Sequence, residues 1–565
     1  MAKVSLDRIS EGGRAWQFAD GAHDVSVKGF AENLLKQRGI EDTEAFLHPT
    51  LKGLMPDPAL IPNIAAAAER LADAILADEG VTIIADFDVD GASSASLLFR
   101  YLGFFGLRPL VEVPERLSEG FGPNKRILDS IVARGSDLVL CLDCGTAAVE
   151  LFTAYANRLQ VIIADHHQPE GDLPPVYAVV NPMCSPEGQK AFGDLAAVGV
   201  VFMLLVATNS HLRGLKKDVP DLRDYLDVVA LGTICDVVPV RGVNRAFVHR
   251  GLELINTKPS AGIAALLQTS GLKNKTVRPE DIGFSIGPKL NAGSRQGFSS
   301  LPWQILTQED PEQARQFALH LGRLNNKRKQ DSTALANAAQ DVMQQREGFV
   351  LASADHWPLG ILGILAGRIS RRLHKPCLII GYDEHGDGSG SGRSVAGIDL
   401  GALLQKAVAE GLLLRGGGHA MAGGFGINKD KEAAFIDFLD KHITALKHET
   451  PSVMIDAALR LKDCKITLLR ELQRLEPFGD GNPEPLLHLH DVRLRNVTLM
   501  GTEHLRAEII DADYNTLSAV MFSEAQSPLG KFLQQHTAEL ELLVRLKPDF
   551  RHPGRVSAHI EDARI

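Results

Sequence analysis

The chain has little cysteine, no excess of basic charge, no leader-like start and no very long apolar run. Each of these absences removes a class of protein. Six cysteines in 565 residues (Cys141, Cys144, Cys184, Cys235, Cys377 and Cys464) are too sparse for a disulfide framework and suit a reducing compartment. Cys141 and Cys144 form a lone CxxC with no second pair at zinc-site spacing, so they read as buried strand cysteines. Lys and Arg total 60 against 70 Asp and Glu, a net charge of −10, which excludes a protein that coats nucleic acid indiscriminately. A local basic groove is still allowed, because binding follows the local field rather than the total charge. The opening MAKVSLDRISEGG lacks the apolar core of a signal peptide. The longest uncharged run, 195–210, falls short of the ~20 apolar residues of a membrane span and reads as a core helix. A cytoplasmic location is the expectation.

What is present is the composition of an ordinary globular protein, 45% hydrophobic and 23% charged, with enough length for several domains. Residues 1–75 read as a mostly helical lead-in, ending in the alanine-rich 64–77. From 76 to 240 short apolar runs alternate with helical stretches, the signature of a parallel sheet with helical crossovers. The expected strands are 81–85, 109–113, 137–142, 160–164, 176–180 and 225–231. Residues 241–346 form a helical connection that ends in one long helix from Pro311. Its basic middle, Asn325–Gln330, reads as a solvated face. A second α/β region spans 347–450 and contains two glycine-rich stretches, GDGSGSGRSVAG and RGGGHAMAGGFG. Such density suggests backbones that approach a neighbour closely. From 451 to 565 short strands follow one another as in a small all-β barrel of the OB type, a common binder of single strands, with Arg493, Arg495 and Arg506 as its basic face. The fold class is thus multidomain α/β with a C-terminal all-β module.

The chemistry concentrates in VTIIADFDVDGASS. A short strand runs into Asp86, Asp88 and Asp90, then Gly91. Three acids this close repel one another, and a hard divalent cation such as Mg²⁺ or Mn²⁺ removes that penalty. Ligands of open α/β sheets gather beyond the carboxyl ends of the strands. There the sequence also delivers Asp143, Asp165 with His166 and His167, Asn181 and Asp236. Asp86, Asp88, Asp90, Asp143, His166 and Asp236 match the ligand set of a two-metal hydrolase acting at phosphorus. His167, beside a ligand, suits the substrate phosphate, and Asp143, at the end of an apolar strand, is the expected bridging ligand.

Asp165-His166-His167, DFDVDG, the aspartate of CLDCG and that of TICDVVP occur in the order and spacing of the DHH phosphoesterases, which the chain resembles. GPKLNAGSR, the SGR at 391–393, GGGHAMAGG and LEPFGDGNPEP narrow the resemblance to that superfamily's single-strand-specific 5′→3′ DNA exonucleases. It implies a DHH domain, a long connecting helix, a DHH-associated domain and a C-terminal OB-fold. It also implies two Mn²⁺ or Mg²⁺ ions, release of 5′-mononucleotides, and a role in recombination and repair. Single-stranded DNA is the implied partner, with a single-strand-binding protein and a helicase as candidate associates. His167, Asp143 and Asp88 are the implied catalytic residues. Arg116, Ser391 and Arg393 are implied at the 5′-terminal phosphate, and Arg295, Asn291 and His419 at the strand. Two motifs depart from the family pattern, Asn291-Ala292-Gly293-Ser294-Arg295 and Gly242-Val243-Asn244-Arg245, and both keep their arginine. Ile83, Ile84 and Ala85 stand where many relatives carry a histidine before the first aspartates. Which carboxylate binds which metal stays open. The rivals are an oligoribonuclease or cyclic-dinucleotide phosphodiesterase of the same superfamily, and a non-cutting scaffold derived from it.

Overall fold

The computed structural model describes residues 4–22, 26–169, 171–443, 451–549, 552 and 554–565. These form two compact units, Met55–Glu449 on its own and Met1–Leu54 together with Thr450–Ile565.

In the larger unit five strands run parallel in the order Leu110–Glu112, Val81–Ala85, Leu138–Leu142, Val161–Ala164 and Ala178–Val180. Apart from the edge strand Leu110–Glu112, all are buried throughout, as expected of aliphatic strands covered by helices on both faces. Their register decides where the chemistry falls. Ala85 lies opposite Leu142, Leu142 opposite Ala164, and Ala164 opposite Val180. The next residue of each strand (Asp86, Asp143, Asp165 and Asn181) therefore emerges side by side along one edge.

Helix Val89–Phe104 leaves directly from that edge. A Cβ on Gly91 would stand 2.3 Å from the carbonyl oxygen of Asp86, so only glycine lets the first turn sit against the strand end. Helix Ala197–Gly214 is long and apolar enough to cross a membrane by length and composition, but 67% of that window is buried inside the protein. It is a core helix.

The expected strand 225–231 is instead a short 3₁₀ turn, Leu222–Tyr225, running into helix Leu226–Cys235. Every residue from Leu226 to Thr233 is buried. An apolar run with no exposed face has no period that separates strand from helix. Asp236 consequently arrives from a helix C-terminus rather than from a strand end.

The long helix Pro311–Val342 is capped by Asp310, whose carboxylate accepts from the amides of Glu312 and Gln313. Beyond it lies a mixed sheet in the order Arg415–His419, Ala422–Asn428, Asp387–Arg393, Cys377–Tyr382, Val350–Asp355 and Gln344–Gln345. The glycine-rich stretches are strands of this sheet, and the close neighbours they admit include the protein's own Phe425 ring over Gly390.

In the smaller unit, Leu487–Met500, His504–Asp511, Thr516–Met521, Val556–Arg564 and Leu540–Pro548 close into a five-stranded barrel, with a parallel pairing between Thr516–Met521 and Val556–Arg564. This is the expected OB-fold. The N-terminal segment departs from the mostly helical lead-in expected for residues 1–75. Strands Val4–Ile9 and Ala15–Phe18 form a sheet with Ser452–Ile455, and helix Phe30–Gln37 packs into the barrel's core. The reason is a buried carboxylate. Asp562, with no exposed surface, accepts from Ser10 Oγ at 2.6 Å, Trp16 Nε1 at 3.0 Å and Arg14 Nε at 3.1 Å. Removing it strands these donors together with the amides of Gly12 and Ala563, so Asp562→Ala should destabilise this unit by about 3 kcal/mol. Calorimetry of the full chain should show one transition moved down and the Met55–Glu449 transition unmoved. A shift of both, or of neither, contradicts this division.

Candidate metal centre

Three sets of donors at the sheet edge have ligand atoms within 4.8 Å of one another: Asp86, Asp88 and Asp143; Asp143, His166 and His167; and Asp90, His166 and Asp236. All six residues expected as metal ligands are brought together, with His167 beside them. Asp143 belongs to two of the sets and His166 to two. Asp143 holds φ +61°, a left-handed conformation uncommon for a non-glycine residue, and so does Val237, at +60°, just after Asp236. Asp143 thus keeps its place in the cluster on strained backbone, whereas Asp236 itself has ordinary helical backbone.

The electrostatics of the cluster are those of crowded, dehydrated acids. Burial, then the charge of Asp88, pushes the Asp86 carboxyl up to about 8. Burial, then Asp90 and Asp88, takes Asp236 to about 9. Asp143 is raised well above the usual carboxylate range by burial and by its four acidic neighbours. Asp86 Oδ1 and Asp236 Oδ2 are buried without a hydrogen-bond partner. Oxygen donors left bare in this way fit a hard divalent cation. Asp90 has a second engagement. Its two oxygens accept from the amides of Ala197, at 2.6 Å, and Val198, at 3.0 Å, capping the core helix.

The two histidines are held differently. His166 Nδ1 lies 3.1 Å from the Leu195 carbonyl and therefore donates, which leaves Nε2 facing Asp143 at 3.4 Å and Asp236 at 3.7 Å. Burial, then the neighbouring His167, lowers it to about 4, so it is a neutral ligand at ordinary pH. His167 Nδ1 sits 2.7 Å from Asp165 Oδ1. Burial opposes its charge, but the bond to Asp165 and that residue's charge raise it above the ordinary histidine value. Asp165 also accepts from the amides of Thr146, His166 and His167. Despite its burial, the His167 hydrogen bond and charge hold it ionised.

Next to the acids lies a group of arginines. The Arg116 guanidinium sits 4.7 Å from the centre of the Phe87 ring and is drawn electrostatically by Asp86 and Asp88. Arg295 donates to the Gly360 carbonyl at 2.8 Å. Burial and the charges of Arg116, Arg328 and Arg393 push it down to about 9. Arg393 donates to Ser391 Oγ at 3.4 Å, and a Cβ on Gly363 would meet that hydroxyl at 2.8 Å. Among the described residues none of these four arginines has an ion-pair partner within 4.0 Å. Half-buried cations with no close ion-pair partner suit an anion. Asn291 lies at the end of the short helix Gly287–Leu290 with Oδ1 buried and unbonded. His419 is exposed at a hairpin end, and among the described residues no hydrogen bond joins it to the arginines.

Sequence reasoning missed Arg328, which it placed on a solvated face; it is half-buried, and its Nε donates to Asn325 at 3.0 Å. It also missed Phe121, 56% exposed yet edge-on to both Phe87 and His167. An Asn three residues before the arginine was the one available signal for the first.

A parallel sheet with acids and paired histidines at its carboxyl edge, linked by a long helix to a second α/β layer, defines a DHH-type phosphoesterase. Family models agree in three places: the DHH family N-terminal domain over residues 80–233, the DHHA1 domain over 347–445 and the RecJ OB domain over 455–562. The single-stranded-DNA-specific exonuclease RecJ of Dickeya dadantii is 33% identical over 512 residues, covering 86% of this chain and 87% of that one. Its namesake in Escherichia coli is 31% identical, covering 84% and 85%. The crystal structure of Thermus thermophilus RecJ in complex with Mn²⁺ superposes with a TM-score of 0.81 at 25% identity, covering 98% of this chain and 79% of that one. The chain belongs to the RecJ family.

The raised carboxyls give a direct prediction for chelated protein. A folded pKa above the unfolded 3.8 adds stability below about 4 and loses it as pH rises through about 8 to 9. The gain in melting temperature on adding Mn²⁺ should therefore grow from pH 5 to pH 8. A gain independent of pH would show that these acids are not neutralised by the metal.

Proposed function

We propose that Asp86, Asp88, Asp90, Asp143, His166 and Asp236 hold two divalent cations, Mn²⁺ or Mg²⁺, and that the chain removes nucleotides from the 5′ end of single-stranded DNA. The chain is a single-stranded-DNA-specific exonuclease, a metal-dependent phosphodiester hydrolase. The observation that carries the metal reading is the pair of buried carboxylate oxygens, on Asp86 and Asp236, with no hydrogen-bond partner. When bound, such a pair of ions activates water and stabilises the attacking and leaving oxygens of an in-line displacement at phosphorus.

The chain's own residues set the rest. The Leu195 carbonyl fixes the His166 ring so that Nε2 serves as the ligand atom. Asp165 takes the Nδ1–H of His167 and favours its charge, so that in the protonated ring Nε2–H is the donor left for a phosphate oxygen. Asp88, half-exposed at the start of its helix, and Asp143, buried at the strand end, bracket the reacting phosphate. Arg116, Ser391 and Arg393 take the terminal 5′-phosphate, since guanidinium forks match phosphate geometry. Arg295 and Asn291 contact the strand that follows, and His419 does so from the hairpin end. A pocket that accepts only a chain end measures substrate from that end, which gives 5′→3′ polarity and 5′-mononucleotide products. Residues 76–240 and 347–450 carry catalysis, the connection 241–346 spans them, and 451–565 hold the strand. Recombination and repair in the cytoplasm, with a single-strand-binding protein and a helicase as associates, complete the reading.

Asp143→Ala should lower kcat by at least ~10³-fold while oligonucleotide binding persists, because it removes stabilisation realised at the reacting centre. Near-normal turnover by the folded variant would take Asp143 out of the ligand set. Separately, Arg393→Ala should erode the preference for 5′-phosphorylated over 5′-hydroxyl DNA in kcat/KM. Equal losses on both ends would make Arg393 a general backbone contact.

A further inference from the structure

The larger unit also holds a cavity of about 770 Å³ for which the reaction has no use. Four elements wall it: the end of helix Val89–Phe104, the turn Leu222–Tyr225, helix Leu301–Leu306 and the start of the long helix Pro311–Val342. Five of its twelve lining residues are aromatic (Phe99, Phe104, Tyr225, Trp303 and Phe317), in a chain only 6% aromatic overall. A core normally absorbs such rings, yet Phe104 is 51% exposed. Phe99 and Trp303 stand 5.8 Å apart, tilted at 45°.

The polar groups on the same wall are unevenly committed. Arg100 is engaged: it donates to Asp227 at 2.8 Å and to the Asp224 carbonyl at 3.2 Å, and lies 5.0 Å from the Tyr225 ring centre. Arg108 is not. Its guanidinium folds back over Gly103, 3.5 Å from where a Cβ would stand. Among the described residues it has no ion pair within 4.0 Å, not even with Glu309, the one acid on the wall. The Gln304 side-chain amide likewise makes no hydrogen bond among the described residues, and Trp303 Nε1 is buried without a partner. Rings with a free cation, a free amide and an unmet donor suit a ligand that is flat, polar at its edge and anionic at one end.

We infer that this cavity binds a free nucleoside 5′-monophosphate. The base stacks among the rings, Gln304 meets its hydrogen-bonding edge, and the Arg108 fork takes the phosphate. The volume falls within the roughly 300–1,000 Å³ of small-molecule sites. Such a nucleotide is what the proposed exonuclease releases, so the choice of ligand rests on that reading while the site lies apart from it. Asp90 and Phe104 sit near opposite ends of one helix, roughly 20 Å apart at about 1.5 Å per residue. Product thus has a place to bind away from the metal centre, on the helix that Asp88 caps.

The test uses the full chain in chelator, with thymidine 5′-monophosphate as probe. Trp303 emission, read as the difference between the parent chain and Trp303→Phe, should quench saturably. Arg108→Glu should raise the midpoint roughly tenfold or more, since it removes a charge-assisted bond. Arg393→Ala, which alters the terminal-phosphate pocket, should leave the midpoint unmoved. Equilibrium dialysis of labelled nucleotide should find less bound per Arg108→Glu chain than per parent chain. Absence of saturable quenching, or parental binding by Arg108→Glu in the dialysis, overturns the site. A midpoint that moves with Arg393→Ala overturns it by placing the nucleotide in the catalytic pocket, and tighter quenching by oligo-dT does so in favour of a strand contact. With metal restored, Arg108→Glu should hydrolyse single-stranded DNA at the parental rate; a loss there makes Arg108 part of the reaction and overturns the separation. Failure of the parent to hydrolyse single strands sinks the exonuclease reading instead and leaves the binding result standing.

Discussion

Mutual repulsion among buried carboxylates governs the larger unit. The in-register parallel strands set Asp86 and Asp143 side by side, the helix beginning after Asp88 brings Asp90 underneath, and Asp236 closes the ring from a helix end. Among the described residues no lysine or arginine forms an ion pair with these acids to offset them. Without a cation the cluster protonates, as the upward shifts of Asp86, Asp143 and Asp236 indicate. The folded scaffold therefore holds an electrostatic strain that divalent metal relieves, and the rigidity that maintains it comes from a sheet with no exposed residues at its centre.

The arginines are the complement of that arrangement. Arg116 feels both the acids and the other cations, so it stands between the acid cluster and the arginine group. A phosphodiester needs both at once: metal at the reacting phosphorus and cationic donors at the end that fixes register. Arg116, Arg295, Arg328 and Arg393 come from four separate stretches of the unit. The second α/β layer and the long helix thus contribute to the arginine group and are more than supports for the first sheet.

Much of this was legible in the chain. Strands bounded by turn residues, and acids at their ends, place Asp86, Asp143, Asp165 and Asn181 on one edge because parallel sheets align carboxyl ends. Other features were hidden for identifiable reasons. Leu226–Thr233, apolar on every side, gives the same pattern as a buried strand. The glycine-rich strands break the propensity rule because neighbouring side chains fill the space their own would take. Arg328 looked solvated because charge runs usually are; its guanidinium is instead half-buried and bonded to Asn325 on its own helix. The N-terminal strands depend on a carboxylate more than 540 residues away, Asp562, which no local pattern reveals. His419 is the opposite case, a residue whose role rests on its motif while its exposed place at a hairpin end adds no contact to the arginine group.

Anomalous diffraction at the manganese edge from crystals of this chain soaked in Mn²⁺ tests the central claim most directly. Two peaks ~3.5–4 Å apart, one bounded by Asp86, Asp88 and Asp143 and the other by Asp90, His166 and Asp236, are the predicted result. Absence of a peak within the aspartate ring, or full occupancy of a site elsewhere with the ring empty, would contradict it.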